Sequence, residues 1–301
     1  MKLIVISDIH MTPSDLNFGA TEGSRPFFRT DHENFAKEIH AEKPDILLVT
    51  GDCAEGASGS QTLLDFLNIY RNPHGVSLCI PGNHDMWFSR NDTLNKLSVE
   101  DKYKNWLTVA NSNGWIALDD TPYEKEGWYI SGNMGWYDFS MIDPDCKYGY
   151  TRSATGNRQL STITPIEYER QGNWSDYNFM FPLGSESKTP MLDFCRNRMR
   201  SFRRSLSDVP VKKRKGLVVA SHFVGFDRLL AKFRDADYGR AFFGNTEIGE
   251  LACKNDADYY FCGHSHKYVK SVISGVEKDM ICINNGSGYG FGSKRMDMVE
   301  L

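Results

Sequence analysis

The sequence predicts an α/β protein with a largely parallel sheet, and three observations predict it. Short apolar runs alternate with amphipathic stretches of helical period. Five of those runs stop abruptly at Asp, Asn or His side chains. The rhythm is broken once, over residues 138–187. Strand–helix alternation builds right-handed crossover units, and a short apolar run closed by Gly or Pro reads as a buried strand.

Residues 2–7 read as the first strand, running into Asp8-Ile9-His10. Residues 12–30, punctuated by Gly, Ser and Pro, predict a loop or inserted arm. Asp31 to Ala41 predicts a helix with Phe35, Ile39 and Ala36 on one face and Asp31 as its cap. Lys43-Pro44-Asp45 turns into a second strand, Ile46 to Thr50, which meets Gly51-Asp52. Residues 60–71 predict a helix with Leu63, Leu64, Phe66, Leu67 and Tyr70 on its apolar side, turned back by Asn72-Pro73-His74-Gly75. The third strand, Val76 to Ile80, ends at Pro81-Gly82-Asn83-His84-Asp85.

Asn91 to Asn113 is mostly helical in pattern, and Trp115 to Tyr137 changes to short strands that include Trp128-Tyr129-Ile130. Residues 138–187 are weakly periodic and rich in Asp, Gly, Ser, Arg and aromatics, and predict an inserted cap or lid over the strand ends. A helix from Pro190 to Leu206 follows, then a strand, Leu217 to Ser221, entering His222. A helix over Thr246–Lys254 leads to the fifth strand, Tyr259 to Cys262, which enters Gly263-His264-Ser265-His266. Residues 268–301 predict antiparallel strands turning at Ser274-Gly275 and Asn285-Gly286-Ser287-Gly288.

Composition bounds the function class. With 301 residues the chain suffices for one large domain or two small ones, and 40% hydrophobic with 25% charged residues is ordinary for a globular enzyme. A net charge of -4 gives no global pull toward nucleic acid or anionic membrane. Seven Cys occur without a CxxC pair, and Cys79, Cys262 and Cys282 lie inside apolar runs, which predicts reduced thiols. The apolar start is too short for a signal-peptide core, and no stretch approaches the ~18 apolar residues of a membrane span, so the expected location is cytoplasmic.

Five of the eight His residues sit at the strand ends. With their neighbours they supply seven candidate ligands: Asp8, His10, Asp52, Asn83, His222, His264 and His266. Oxygen and imidazole donors without thiolate suit Mn, Fe, Zn, Ni or Co and do not choose among them. Seven donors exceed the need of one ion with open positions; two ions sharing a carboxylate would use them, as in hydrolases whose metals lie about 3.5–4 Å apart. A hydroxide bridging both would be the nucleophile. His84 then remains as proton donor, with Asp85 beside it to fix its tautomer.

Asp8-x-His10, Gly51-Asp52, Gly82-Asn83-His84-Asp85, His222 and Gly263-His264-x-His266 resemble the five motifs of the calcineurin-like metallophosphoesterases, in that family's order. The resemblance spans residue 1 to about 266, apart from the insertion. It implies two mixed sheets packed as a sandwich flanked by helices, in a single domain over 1–301. It implies that Asp8, His10 and His266 hold one ion, that Asn83, His222 and His264 hold the other, and that Asp52 bridges them. His84 would be the general acid, paired with Asp85, and Asn284-Asn285-Gly286-Ser287 is similar to the turn that closes the fold near the metals. Glu55 and Asp85 depart from the protein Ser/Thr phosphatase pattern, which argues against a phosphoprotein substrate.

The expected activity is therefore hydrolysis of a phosphodiester or phosphomonoester of a small molecule, a nucleotide being the class expected. The alternatives are a nuclease with the same metal core and a non-catalytic scaffold. In and beside the insertion, Trp136, Tyr137, Tyr148, Tyr150, Arg152, Arg158, Trp174 and Tyr177 suit either a nucleobase and phosphate or a small cap core, with Tyr150 and Arg152 the substrate-binding candidates. Cys53 reads as a small filler rather than a redox switch, and Lys212-Lys213-Arg214-Lys215 as a solvated loop. Arg196, Arg198, Arg200, Arg203 and Arg204 spread over more than one helix face, with one of them free to act as a phosphate clamp.

Overall fold

The apolar runs pair into two mixed sheets. In the computed structural model, which describes residues 1–11, 27–54, 56–119, 121–142, 148–152, 158–162, 175–180, 189–230, 238–287 and 294–301, the first sheet has the order β13-β1-β2-β3-β4. Its strands are β1 (Lys2–Ile6), β2 (Ile46–Thr50), β3 (Val76–Ile80), β4 (Ile116–Ala117) and β13 (Met296–Glu300). The second has the order β11-β12-β10-β9-β6-β5, built from β5 (Tyr123–Lys125), β6 (Trp128–Asn133), β9 (Gly216–Ser221), β10 (Tyr259–Cys262), β11 (Tyr268–Ser274) and β12 (Asp279–Asn285). β1 through β4 pair in parallel, as do β6, β9, β10 and β12.

The period-two alternation of side chains decides how these sheets pack. Leu3, Val5, Ile46, Leu48, Leu78 and Ile80 from the first sheet share one buried layer with Ile130, Val218, Ala220, Phe261 and Ile283 from the second. The intervening residues face helices. Ile4, Ile6, Leu47 and Val49 pack with Phe35 and Ile39 of α1 (Phe27–Ala41), Leu63, Leu64 and Leu67 of α2 (Gly56–Ile69), and Trp106 and Ala110 of α5 (Val99–Ser112). Leu217, Val219, Tyr260 and Cys262 pack with Phe202 and Leu206 of α7 (Thr189–Ser207) and with Ile248 and Ala252 of α8 (Thr246–Lys254). Each such Val, Leu, Ile or Phe side chain is worth about 1.5–3 kcal/mol of burial, and a one-residue slip of a strand would turn all of its side chains to the wrong face.

Several expected boundaries move. Helix α1 starts at Phe27, four residues before the expected cap Asp31, because no Gly or Pro interrupts Phe27 to Ala41. Helix α2 starts at Gly56 rather than residue 60, and Ser60 Oγ lies 3.0 Å from the Gly56 carbonyl. After the single turn α3 (Asn83–Met86), the helical stretch expected over 91–113 divides into α4 (Arg90–Leu94) and α5, each opened by a reciprocal cap, Ser89 with Asp92 and Ser98 with Asp101. In the tail β11 and β12 are antiparallel as expected, but β12 also runs parallel to β10, and β13 leaves for the other sheet to pair with β1.

The insertion contributes a hairpin, β7 (Tyr148–Arg152) with β8 (Arg158–Thr162), and the short helix α6 (Ser175–Met180). The side chains of Tyr148, Tyr150, Arg152, Arg158 and Tyr177, and all of Glu55 and Trp174, lie outside the described residues. Residues 138–142 join the main body: Met141 is buried in the core of the second sheet, and Ser140 Oγ accepts the Thr246 amide at 3.0 Å. Among the described residues no helix is long and apolar enough to cross a membrane.

Candidate metal centre

All five motifs lie at the carboxyl ends of parallel strands, and the two sheets bring those ends to one place. The β1 and β2 ladder continues into the loops, where the amides of Asp8, His10 and Met11 donate to the carbonyls of Gly51, Asp52 and Cys53 at 3.1, 3.0 and 2.9 Å. Asp8, His10, Asp52, His264 and His266 all have positive φ, between 47° and 66°. Asp and His tolerate that region better than most residues, and its strain is commonly found at functional sites. A Cβ at Gly82 would fall against the Asp52 carboxylate, and one at Gly263 against Ser7 and Asp8, so both motif glycines are required by close approach.

Two donor groups result, and they share one residue. Asp8, His10, Asp52 and His266 form the first; Asp52, His222 and His264 form the second, their ligand atoms lying within 4.8 Å of one another in each. Asn83 joins the second through Oδ1, 3.0 Å from His222 Nε2 and 3.1 Å from His264 Nδ1. Asp52 is fully buried. Its Oδ1 accepts the His84 amide at 2.9 Å, while Oδ2 finds no hydrogen-bond donor in good geometry. Around Oδ2 stand His222 Nε2 at 3.4 Å, His10 Nε2 at 3.6 Å and His84 Nε2 at 3.9 Å. The Asp8 carboxylate is fixed by the His264 amide, 3.1 Å from each oxygen.

The tautomers follow from the outer contacts. His222 Nδ1 lies 2.9 Å from the Thr50 carbonyl, His266 Nδ1 2.8 Å from that of Ser287, and His264 Nε2 3.2 Å from that of Phe242. A carbonyl only accepts, so each of those nitrogens donates, and in the neutral ring the other nitrogen turns a lone pair to the centre. A backbone carbonyl behind each imidazole is the arrangement that orients metal-ligating histidines. Lone pairs of neutral rings would face the Asn83, Asp8 and Asp52 oxygens, which is repulsive unless positive charge, a proton or a metal ion, sits between them. The donor set therefore fits cations, as hard-to-borderline oxygen and nitrogen ligands do.

The charges respond accordingly. Burial pulls His10 down to about 2, against the attraction of Asp52. Burial likewise holds His264 well below its ordinary value, with His222 acting the same way. For His222 burial is outweighed by the Asp52 charge 3.4 Å away, and its value rises to about 9. Asp52 is held well below the carboxylate range because His222, His84 and His10 overcome the cost of burying it.

Asp85 is displaced from its expected role. Its carboxylate accepts from Ser60 Oγ at 2.7 Å, from the Gly82 amide at 2.8 Å and from the Cys53 amide at 3.1 Å. Burial, then the Asp52 charge, pushes it up to about 6 against those donors. Those donors tie the motif loop to the one after β2, and among the described residues none of Asp85's hydrogen bonds goes to His84. The His84 imidazole packs instead on the Trp87 indole, with ring centroids 3.6 Å apart, and meets His10 edge-on. His84 Nδ1 is buried without a hydrogen bond.

Other expected participants turn elsewhere. Trp136 and Tyr137 are core residues packed on Phe223 rather than a stacking surface. Arg198 lies over the Tyr103 ring at 4.9 Å and beside buried Asp119, while Arg203 pairs with Glu247. Arg214 donates to the carbonyls of Asn255 and Asp256 behind α8, and Lys212 and Lys213 are exposed. Cys53 is buried, and burial pushes its thiol well above the ordinary value, which suits a filler. The closing turn acts through Ser287 on His266 and through Asn284 Nδ2, which donates to Ser265 Oγ at 2.7 Å.

Three residues escaped the sequence reading. Lys294 Nζ donates to the carbonyls of Ile9 at 2.5 Å and Asp8 at 3.2 Å, placing a cation beside the first donor group. Trp87 supports His84, and only its nearness to the motif could have pointed to it. Asp176, from the insertion, accepts from Asn83 Nδ2 at 2.8 Å and Trp87 Nε1 at 2.7 Å; nothing local marks it.

A family model described as calcineurin-like phosphoesterase matches residues 1–268. The chain belongs to that family. It is thus a metal-dependent phosphoric ester hydrolase, and the family implies a dimetal centre. A search of curated protein sequences gives no match. Among solved structures, phosphopantetheinyl hydrolase from Mycobacterium tuberculosis aligns with a TM-score of 0.66 over 98% of this chain and 95% of that one, at 18% identity. A purple acid phosphatase from yellow lupin seeds aligns at 0.46 and 13% identity, covering 100% of this chain and 46% of that one. A dimetal phosphatase from Danio rerio aligns at 0.40 and 12% identity, over 94% and 87%. At such identities the first likeness is one of fold, and this phosphoesterase shares its two sheets and helical flanks.

Proposed function

We propose that the protein hydrolyses a phosphoester of a small molecule, a nucleotide being the favoured class, using two cations held by seven side chains. Asp8, His10 and His266 would hold one, Asn83, His222 and His264 the other, and Asp52 would serve both. The observation that carries this reading is the Asp52 carboxylate, which alone belongs to both donor groups. Bound there, the cations would supply Lewis-acid polarisation of the phosphoryl oxygens and acidify a water. His84 presents Nε2 toward Asp52, from where it can hand a proton to the departing oxygen. Trp87 fixes the plane of that imidazole by stacking. Asp85 acts on neither, serving to hold the motif loop in place.

The nucleotide class loses Trp136 and Tyr137 as supports but gains Phe179. Its half-exposed ring stacks on the far side of Trp87 at 4.3 Å, which offers a flat apolar face beyond His84. One domain over 1–301 with 138–187 inserted is supported by the pairing of the two chain ends, where Met1 and Leu301 exchange backbone hydrogen bonds. A reducing, cytoplasmic setting is supported by the free thiols of Cys53, Cys79, Cys253, Cys262 and Cys282.

The test is a phosphoester panel on metal-stripped protein reloaded with Mn²⁺: nitrophenyl phosphate, bis-nitrophenyl phosphate, nucleoside monophosphates, cyclic nucleotides and ribose phosphate. Turnover that requires Mn²⁺ and favours a nucleotide over ribose phosphate is expected. No metal-dependent turnover of any mono- or diester would refute the reading.

A further inference from the structure

We infer that Asp176, supplied by the insertion, is the positioning residue for the Asn83 side of the metal centre and for the stack behind His84. This rests on the reading of Asn83 as a cation ligand. An Asn side chain has two ends of similar shape and opposite chemistry, and nothing in its own backbone chooses between them. Asn83 is 4% exposed and stands between two contrasting neighbours. On one side are His222 Nε2 and His264 Nδ1; on the other is the Asp176 carboxylate.

A carboxylate accepts and cannot donate, so it fixes the NH₂ end against itself and turns the oxygen to the imidazoles. Without that acceptor the amide gains by rotating half a turn. Where the rings are neutral, its NH₂ would then donate to the two ring nitrogens, and the cluster would satisfy itself with hydrogen bonds in place of a cation. Asp176 makes the self-satisfied arrangement unfavourable, because it would bring the amide oxygen against a buried carboxylate 1% exposed to solvent.

The same Oδ1 also accepts from Trp87 Nε1, and Trp87 lies between His84 and Phe179. The Phe88 amide donates to the Phe179 carbonyl at 2.8 Å, so α6 is tied to the segment just after the motif at several points. A single carboxylate thereby fixes a ligand's orientation and the plane of the platform under the free imidazole. Both depend on the insertion being seated.

The experiment titrates metal-stripped protein with Mn²⁺ alone, reading free ion by electron paramagnetic resonance, for the parent, Asp176→Leu and Asp176→Asn. The parent is expected to take two ions. Asp176→Leu should keep the affinity of one and bind the other about 10–100-fold more weakly, as expected when the partner orienting a ligand is lost. Its kcat should fall and return as Mn²⁺ is raised, with KM nearly constant. Asp176→Asn retains an acceptor oxygen and should recover most of the second affinity. If Asp176→Leu does not fold, Asp176→Ser is read in its place with the same outcomes.

Two ions bound with parental affinity in Asp176→Leu would overturn the inference, as would equal losses in the Leu and Asn variants. A parent chain that takes up fewer than two ions would instead refute the cation reading on which the inference stands.

Discussion

The two halves of the metal centre are built from similar side chains but differ in enclosure. In the Asn83 half, His222 is fully buried, Asn83 and His264 are nearly so, and every one of the three has a fixed partner behind it. In the Asp8 half, the His10 and His266 side chains remain 11% and 17% exposed, and Lys294 brings a positive charge to the adjoining carbonyls. The difference teaches a division of labour. The enclosed half is pre-organised by carbonyls and a carboxylate that water does not reach, whereas the open half leaves two imidazoles in reach of solvent. Asp52 is common to both, so it is the place where the distinction vanishes.

The largest effect should therefore come from Asp52→Asn, which removes a charge from both halves at once. Loss of several kcal/mol of transition-state stabilisation, roughly 10³-fold in kcat or more, is expected together with loss of both ions by elemental analysis. Retention of two ions in that variant would break the idea of a shared ligand. Next comes His84→Asn, which leaves both halves untouched. A drop of about 10²–10⁴ in kcat with two ions still bound separates proton transfer from ligation; a drop in ion content would instead make His84 a ligand.

A smaller effect tests enclosure itself. Under timed chelation the two ions should leave in separate phases, and His266→Ala should speed the fast phase while leaving the slow one within about twofold. A uniform acceleration of both phases would mean the halves are not distinct in the way their burial implies.

The smallest effect concerns stability against pH. In metal-free protein His222 is raised to about 9, so its contribution is complete below the unfolded value of 6.5 and lost as pH rises through 9. His10 is lowered to about 2, so its burial in neutral form costs stability as pH falls below 6.5. Chelated protein should thus be most stable near pH 6.5. Mn²⁺ should abolish the loss between 6.5 and 9, because cations compete with protons for the same lone pairs. Thermal unfolding across pH 5–9 with chelator and with Mn²⁺ measures this, and superimposable profiles would refute it.

The clustering of the candidate donors was legible because each sits at a junction that local sequence encodes. An apolar run ends and the side chain is delivered to the strand end, and at Asp8, His10, Asp52, His264 and His266 the backbone there turns through a conformation that Asp and His tolerate. The alternation of Leu3, Val5, Ile46 and Leu48 against Ile4, Ile6, Leu47 and Val49 likewise settles which face meets the other sheet. Helix beginnings were less legible, since Phe27 and Gly56 carry no strong start signal, whereas α8 shows its Asn245 cap and ends where its pattern ends.

The sequence by itself determined the donors, the strands that carry them and the family motifs they compose. Tertiary structure alone decided who stands behind them. Asp85 and His84 are adjacent in the chain, yet one faces Ser60 and the Cys53 amide and the other the Trp87 ring. Asp176 meets Asn83 across 93 residues. The carbonyls of Thr50, Phe242 and Ser287 fix imidazole tautomers with atoms that every residue possesses. Donors are chosen by side-chain chemistry, which a sequence spells out; their orientation is chosen by backbone atoms and distant acceptors, which acquire meaning only once the chain has closed on itself.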